Sequence, residues 1–278
     1  MRLATLTAGD GASTAAVQRE GSWHALPYAD LSEALAAGDA GGTTGIRPEH
    51  AATEPLGADW RLTNPLPRPG KIICCGLNYA DHITETGRDL PTHPTLFAKF
   101  ADTLIGPDED ITVDAGVNLD WEAELTVVVG ATIRHADRDA AAKAIAGYTV
   151  ANDISVRDWQ NRTLQWLQGK AWDRSTPVGP VVVTPDELDP SGGVDVICRV
   201  NDEQVQRGNT RTLVFDAADL LAYISTFTTL RPGDLVLTGT PGGVGMARKP
   251  ARFLADGDVV ETEIDGIGTL RNTVRLTS

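Results

Sequence analysis

The chain has 278 residues, enough for one large domain or for a large and a small one. Its 24 basic and 38 acidic side chains leave a net charge of −14, with no Lys/Arg cluster, which argues against nucleic acid as a partner. No run of about 18 uncharged apolar residues predicts a membrane span, and the segment from Met1 to Leu6 lacks the apolar core of a secretory leader, so the expectation is a cytoplasmic protein with no membrane partner.

Residues 1–65 read as a small α/β unit of their own. Strands are predicted near Arg2–Leu6 and Ser22–Ala25, a helix over Asp30–Ala37, and a Gly/Thr-rich loop over Gly38–Gly45. The Pro-rich stretch from Pro65 to Gly70 suits neither a helix nor a central strand and serves as the linker into a main domain, residues 66–278. The run Ile72–Cys75 reads as that domain's first strand. Cys74, Cys75 and Cys198 form neither a disulfide framework nor a zinc pattern, so they are expected as buried, reduced strand residues, with one thiol lining a pocket as the alternative. Further strands are predicted at Leu125–Val129, Gly179–Val183, Val194–Val200, Leu235–Thr238 and Val259–Ile264, and helices at Ala140–Ala146 and Asp216–Thr226. Many short strands and few helices make the fold class β-rich α+β.

Chemistry concentrates in a few segments. Alternation along a strand turns Glu122 and Glu124 to one side, with Trp121, Ala123, Leu125 and Val127 turned to a core. Two adjacent carboxylates repel unless a cation lies between them. Alone, Glu-x-Glu is more often a solvated strand end. A second apolar strand, however, runs into Asn152-Asp153, and three carboxylates without His or Cys compose an oxygen-only site suited to Mg²⁺ or Mn²⁺. If Asn78–Glu85 is helical, His82 and Glu85 share a face, a pairing that fits a water-activating base as well as a plain surface pair. Lys170, beside Gly169, is either an exposed lysine, a cation for an oxyanion or substrate carboxylate, or a proton donor with a lowered pKa. Thr238 to Gly245 closes a strand with a Gly-rich turn. Gly239 allows close backbone approach and Thr240 offers a hydroxyl, although turn chemistry alone accounts for the segment equally well. His24, His50, His93 and His135 have no such companions and read as structural or exposed.

Taken together, Gly76–His82, Glu122-Ala123-Glu124, Asn152–Gln160, Gly169-Lys170 and Thr238–Gly245, in that order, resemble the fumarylacetoacetate hydrolase family over about Lys71–Val274. The resemblance implies rolled mixed sheets of the family's C-terminal type after a small N-terminal domain, a homodimer, and Mg²⁺ or Mn²⁺ on Glu122, Glu124 and Asp153. It implies His82 and Glu85 as the water-activating dyad and Lys170 as the lysine that meets the substrate. It also implies Arg157, Gln160, Thr240 and the adjoining Gly239 as residues of the substrate pocket. Residues 161–168 are less typical of the family. The implied reaction is metal-dependent C–C hydrolysis of an acylpyruvate, fumarylpyruvate-like, in aromatic-compound catabolism. The alternatives are oxaloacetate decarboxylation, isomerisation or decarboxylation of hydroxymuconate-type diacids, or a non-catalytic metal-binding relative. Ile83–Pro91, with Gly87, is expected to act as a lid over a bound 2-oxo acid.

Overall fold

The computed structural model describes residues 1–38, 46–80, 83 and 89–277. In chain order its strands are β1 (Arg2–Thr7), β2 (Ser13–Arg19), β3 (Ser22–Ala25), β4 (Arg61–Leu62), β5 (Ile72–Gly76), β6 (Thr95–Lys99), β7 (Leu104–Ile105), β8 (Ile111–Asp114) and β9 (Leu119–Asp120). These are followed by β10 (Ala123–Val129), β11 (Ile145–Asn152), β12 (Ser155–Val156), β13 (Thr176–Val183), β14 (Asp195–Val200), β15 (Glu203–Asn209), β16 (Leu235–Leu237), β17 (Val259–Ile264) and β18 (Gly268–Thr277). The helices are α1 (Leu31–Gly38), α2 (Arg138–Lys143), α3 (Arg157–Gln160), α4 (Leu167–Lys170) and α5 (Ala217–Ser225). The fold is β-rich with mixed sheets, as expected. Among the described residues no helix is long and apolar enough to cross a membrane.

The main sheet runs β3-β2-β1-β13-β11-β10-β16-β5-β6, with β4 on β1 and β7 on β13. A second sheet runs β15-β14-β17-β18-β8 and packs against β10, β11 and β13. Period-two alternation explains why β10 is buried throughout. Ala123, Leu125, Val127 and Val129 enter the core shared with Val196, Cys198, Val260 and Leu270 of the second sheet. Val128 points the other way, into the core that Leu31, Ala34 and Leu35 of α1 close. Strands covered on both faces read as continuous Val/Leu/Ile runs, which is why β10 stands out in the sequence.

The strands of residues 1–65 extend this same sheet, since β1 pairs with β13 (Arg2↔Val183, Leu3↔Val182). The helix predicted over Ala140–Ala146 is displaced: α2 ends at Lys143, and Ile145 and Ala146 belong to β11. Asp137 caps its start by accepting from the Ala140 N–H, and pairing with β10 takes Ile145 and Ala146 into the sheet. A weakly periodic Ala-rich run has no preference strong enough to resist that pairing. The loop Gly38–Gly45 lies, after Gly38, outside the described residues. The cysteines are free and buried in strands, Cys74 and Cys75 in β5 and Cys198 in β14.

Candidate metal centre and its cavity

Register builds the acidic cluster. Ala123 pairs with Asn152 and Glu124 with Ala151, so the next residue of each strand end, Glu122 and Asp153, meet where the Asp153 N–H donates to the Glu122 carbonyl at 2.8 Å. Asn152 accepts from the Glu122 N–H (2.8 Å) and donates to Thr262 Oγ1 (2.9 Å), which fixes the turn. Glu122, Glu124 and Asp153 are buried, and one ligand oxygen from each lies within 4.8 Å of the others.

Cations converge on this cluster. Lys170 is 1% exposed, and its Nζ donates to Glu122 Oε2 (2.8 Å) and Asp153 Oδ2 (2.7 Å). Gly169 makes this position reachable: a Cβ there would lie 2.4 Å from Gln160 Cβ, so only glycine lets α4 pack so closely on α3. Lys99, also buried, donates to Asp153 Oδ1 (2.7 Å) and the Ile154 carbonyl (3.2 Å). Arg157 donates through Nε to Asp120 Oδ2 (2.8 Å), and through Nη1 to Gln160 Oε1 (2.9 Å) and the Glu122 carboxylate (2.7 Å); among the described residues its buried Nη2 has no hydrogen-bond partner. Glu124 accepts the Gly239 N–H at 2.7 Å. Gly239 holds a φ of +101°, and a Cβ there would meet the Cys75 carbonyl oxygen at 2.9 Å.

Burial raises the Glu124 pKa well above the carboxylate range, and the charges of Asp153 and Glu122 push it further. Burial acts against the Asp153 carboxylate too, but Lys170 and Lys99 outweigh it and lower its pKa. Burial likewise opposes the Lys170 ammonium, yet Asp153 and Glu122 win and raise it. Asp120, Glu122, Glu124 and Asp153 face Lys99, Arg157 and Lys170, so the cluster carries one acidic group in excess. Lys170's place between two carboxylates marks their meeting point as favourable for positive charge. Hard oxygen donors, a surplus carboxylate and a resident cation all fit a divalent metal of the Mg²⁺ or Mn²⁺ kind.

The cluster floors a cavity of about 280 Å³ whose lining includes Glu122, Glu124, Arg157, Gln160, Lys170 and Thr240, together with Cys75, Gly76, Leu77, Phe97, Trp166, Val244 and Met246. Leu77 holds a φ of +55°, a conformation that costs a leucine roughly 1–2 kcal/mol. Cys75 is the thiol that reaches the cavity; burial and then the Glu124 charge push its pKa up to about 12, so it stays a thiol. Gly239 stands behind Glu124 rather than in the lining. Thr240 donates to the Ala123 carbonyl (3.0 Å) and accepts from Gln206 Nε2 (2.8 Å). His82, Glu85 and all of the expected lid but Ile83 and its end at Asp89–Pro91 lie outside the described residues.

Three supporting residues escaped the sequence reading. Lys99 ends the strand β6, and an isolated lysine after four uncharged residues was its only signal. Asp120 is fully buried and accepts from Arg157 and from the N–H groups of Trp121, Gly245 and Met246. Gln206, on β15, braces the start of β10 by accepting from the Ala123 N–H at 3.0 Å.

Residues 71–275 match the family model for the fumarylacetoacetate hydrolase C-terminal domain. The mitochondrial oxaloacetate tautomerase FAHD2A of Homo sapiens is 46% identical over 213 residues, 76% of this chain and 68% of that protein. A fumarylacetoacetate hydrolase structure from Exiguobacterium antarcticum superposes over the whole of both chains with a TM-score of 0.89 at 34% identity. The structure of a 5-carboxymethyl-2-hydroxymuconate delta-isomerase from Mycobacterium smegmatis does so with a TM-score of 0.82, also at 34% identity. Relatives thus carry hydrolase, isomerase and tautomerase names. With the family model matched over most of its length and the acidic cluster at the end of β10, the chain belongs to the fumarylacetoacetate hydrolase family.

Proposed function

We propose that the protein is a divalent-metal enzyme that draws a proton from C3 of a small 2-oxo acid, with keto–enol tautomerisation of a four-carbon 2-oxo diacid as its first reaction. The observation that carries this reading is the buried Lys170 ammonium, 2.7–2.8 Å from two of three clustered carboxylates at the floor of a small cavity. A divalent cation on Glu122, Glu124 and Asp153 would supply Lewis acidity toward the substrate's carboxylate and 2-oxo oxygens. Lys170 donates to the oxygen that gains charge as C3 loses its proton, the kind of stabilisation that contributes most in such sites. Arg157 and Gln160, which line the cavity, receive the second carboxylate, and an oxaloacetate tautomerase among the relatives supports the same substrate class. The proton is assigned to the His82–Glu85 pair on the strength of the sequence.

A second reading is hydrolysis of an acylpyruvate. There the same pair activates a water that attacks C4; the C3–C4 bond breaks and C3 takes up the proton. The apolar part of the cavity, with Leu77, Val244 and Met246, favours an uncharged acyl group and keeps this reading in view. A homodimer and a reducing, cytoplasmic setting belong to the proposal as well, the first on the resemblance and the second on three free buried thiols. The test is to follow oxaloacetate tautomerisation and acylpyruvate cleavage with metal-stripped protein, then with Mg²⁺ or Mn²⁺ restored. Tautomerisation that appears only with metal and falls about 10²- to 10³-fold in Lys170→Met is expected. Full activity in stripped protein, or an unimpaired Lys170→Met, would contradict it.

A further inference from the structure

Trp166 stands where the cavity changes from charged to apolar. It is the residue before α4, four positions ahead of Lys170, so the indole and the ammonium share one face a single turn apart. The indole lies against Gly76 so closely that a Cβ at residue 76 would sit 2.5 Å from its Cζ3. It meets Phe97 edge-on, with centroids 5.5 Å apart, and Phe97 in turn lies 4.9 Å beneath the Lys170 Nζ. Leu77, Val244 and Met246 add to the apolar lining. Among the described lining residues the cations are Arg157 and Lys170, both tied to carboxylates at the floor. Trp166 is braced through its ring contacts, while the preceding loop is exposed, with Leu164 wholly so, and is anchored at its other end where Arg162 lies 3.6 Å over Trp159.

From this arrangement we infer that Trp166 is a specificity-determining residue: its indole ends the space available beyond C4 of a bound 2-oxo acid and so sets the tail length accepted. The inference rests on the proposed 2-oxo-acid chemistry. A head group held at the floor must direct its tail away from the carboxylates, toward the wall that Phe97 and Trp166 form. The wall is rigid, since Gly76 already concedes the room of a side chain to it. Truncating the indole opens apolar space, and each methylene that enters it should add about fourfold in affinity.

The probes are oxalate, which has a head and no tail, and 2,4-dioxopentanoate and 2,4-dioxooctanoate, which share the head and differ by three methylenes. Their binding to the Mg²⁺-loaded protein is measured by calorimetry for wild type, Trp166→Phe and Trp166→Ala. Oxalate should bind all three proteins within about threefold. The preference for octanoate over pentanoate should rise by about tenfold or more in Trp166→Ala and by less in Trp166→Phe. An unchanged preference in both variants, with oxalate still bound, would overturn the role of Trp166 alone. Failure of wild type to bind oxalate would overturn the 2-oxo-acid reading and this inference with it. Should Trp166→Ala not fold, Trp166→Phe decides by itself: a rise of at least threefold supports the wall and no rise refutes it.

Discussion

Asp153 at the floor of the cavity accepts from two lysines, and Asp120 accepts from one arginine and three backbone N–H groups, whereas the side chains of Leu77, Trp166 and Met246 give the cavity an apolar wall, with Trp166 packed edge-on against Phe97. The floor is buried, charged and determined several times over. Such a network costs desolvation and is retained where geometry has to be fixed. The apolar wall is half-exposed and carries no charge, so its residues can differ in size without disturbing the charges below. Within one cavity, then, the floor sets the chemistry and the wall sets which molecules undergo it.

That division can be broken most sharply at the floor. Glu124→Ala removes one of the three converging oxygens without removing a lysine's partner, and should abolish metal retention and lower kcat/KM by at least about 10³-fold. Metal content by mass spectrometry alongside kcat/KM checks this; retained metal with retained activity would move the centre elsewhere. Next in size comes the supporting cation. Lys99→Met strips Asp153 of one of its two buried ammonium partners, and breaking such a pair typically costs about 3 kcal/mol. Chemical denaturation should register that loss, and a change below about 1 kcal/mol would mean that Lys170 alone suffices to hold Asp153.

The smallest effect is expected far from the cavity, where Arg138 of α2 pairs with Asp216 and Asp219 at the head of α5. Burial would raise the Asp216 pKa, but its bonds to Arg138 and to backbone N–H groups lower it. A carboxyl held below its unfolded value of about 3.9 contributes stability above that pH and loses it as pH falls through the folded value. Because the pair is partly solvated, Arg138→Ala should cost only about 0.5 kcal/mol at pH 7, and the variant and wild type should become equal once pH falls below the folded value. Activity should stay unchanged; a large loss would tie α2 and α5 to the site.

The carboxylates of the floor were legible in the sequence because each sits at the end of a strand that announces itself, Glu122 and Glu124 at β10 and Asp153 after β11. Alternation within β10 was equally plain, since Leu125 and Val127 face one core and Val128 the other. What stayed hidden depends on long-range pairing. Lys99 gains its meaning from the Ile72↔Lys99 register that seats β6 beneath the site, and Gln206 from the approach of the second sheet to Ala123. Trp166 belongs to a stretch, residues 161–168, that is less typical of the family, and the gap left by Gly76 reveals where its ring goes. The end of α2 was misread for a local reason, because Ala144–Ala146 satisfies a helical and an extended reading alike until β10 supplies its hydrogen bonds.

The division between floor and wall stands or falls on where the cation resides. Crystals of metal-stripped protein soaked with Mn²⁺ and oxalate would locate it through the anomalous signal of manganese. One Mn²⁺ per chain, bonded to oxygens of Glu122, Glu124 and Asp153 at roughly 2.0–2.3 Å with oxalate completing its shell, is the expected result. Manganese bound elsewhere, or oxalate seated in the cavity without any metal on those three carboxylates, would contradict it.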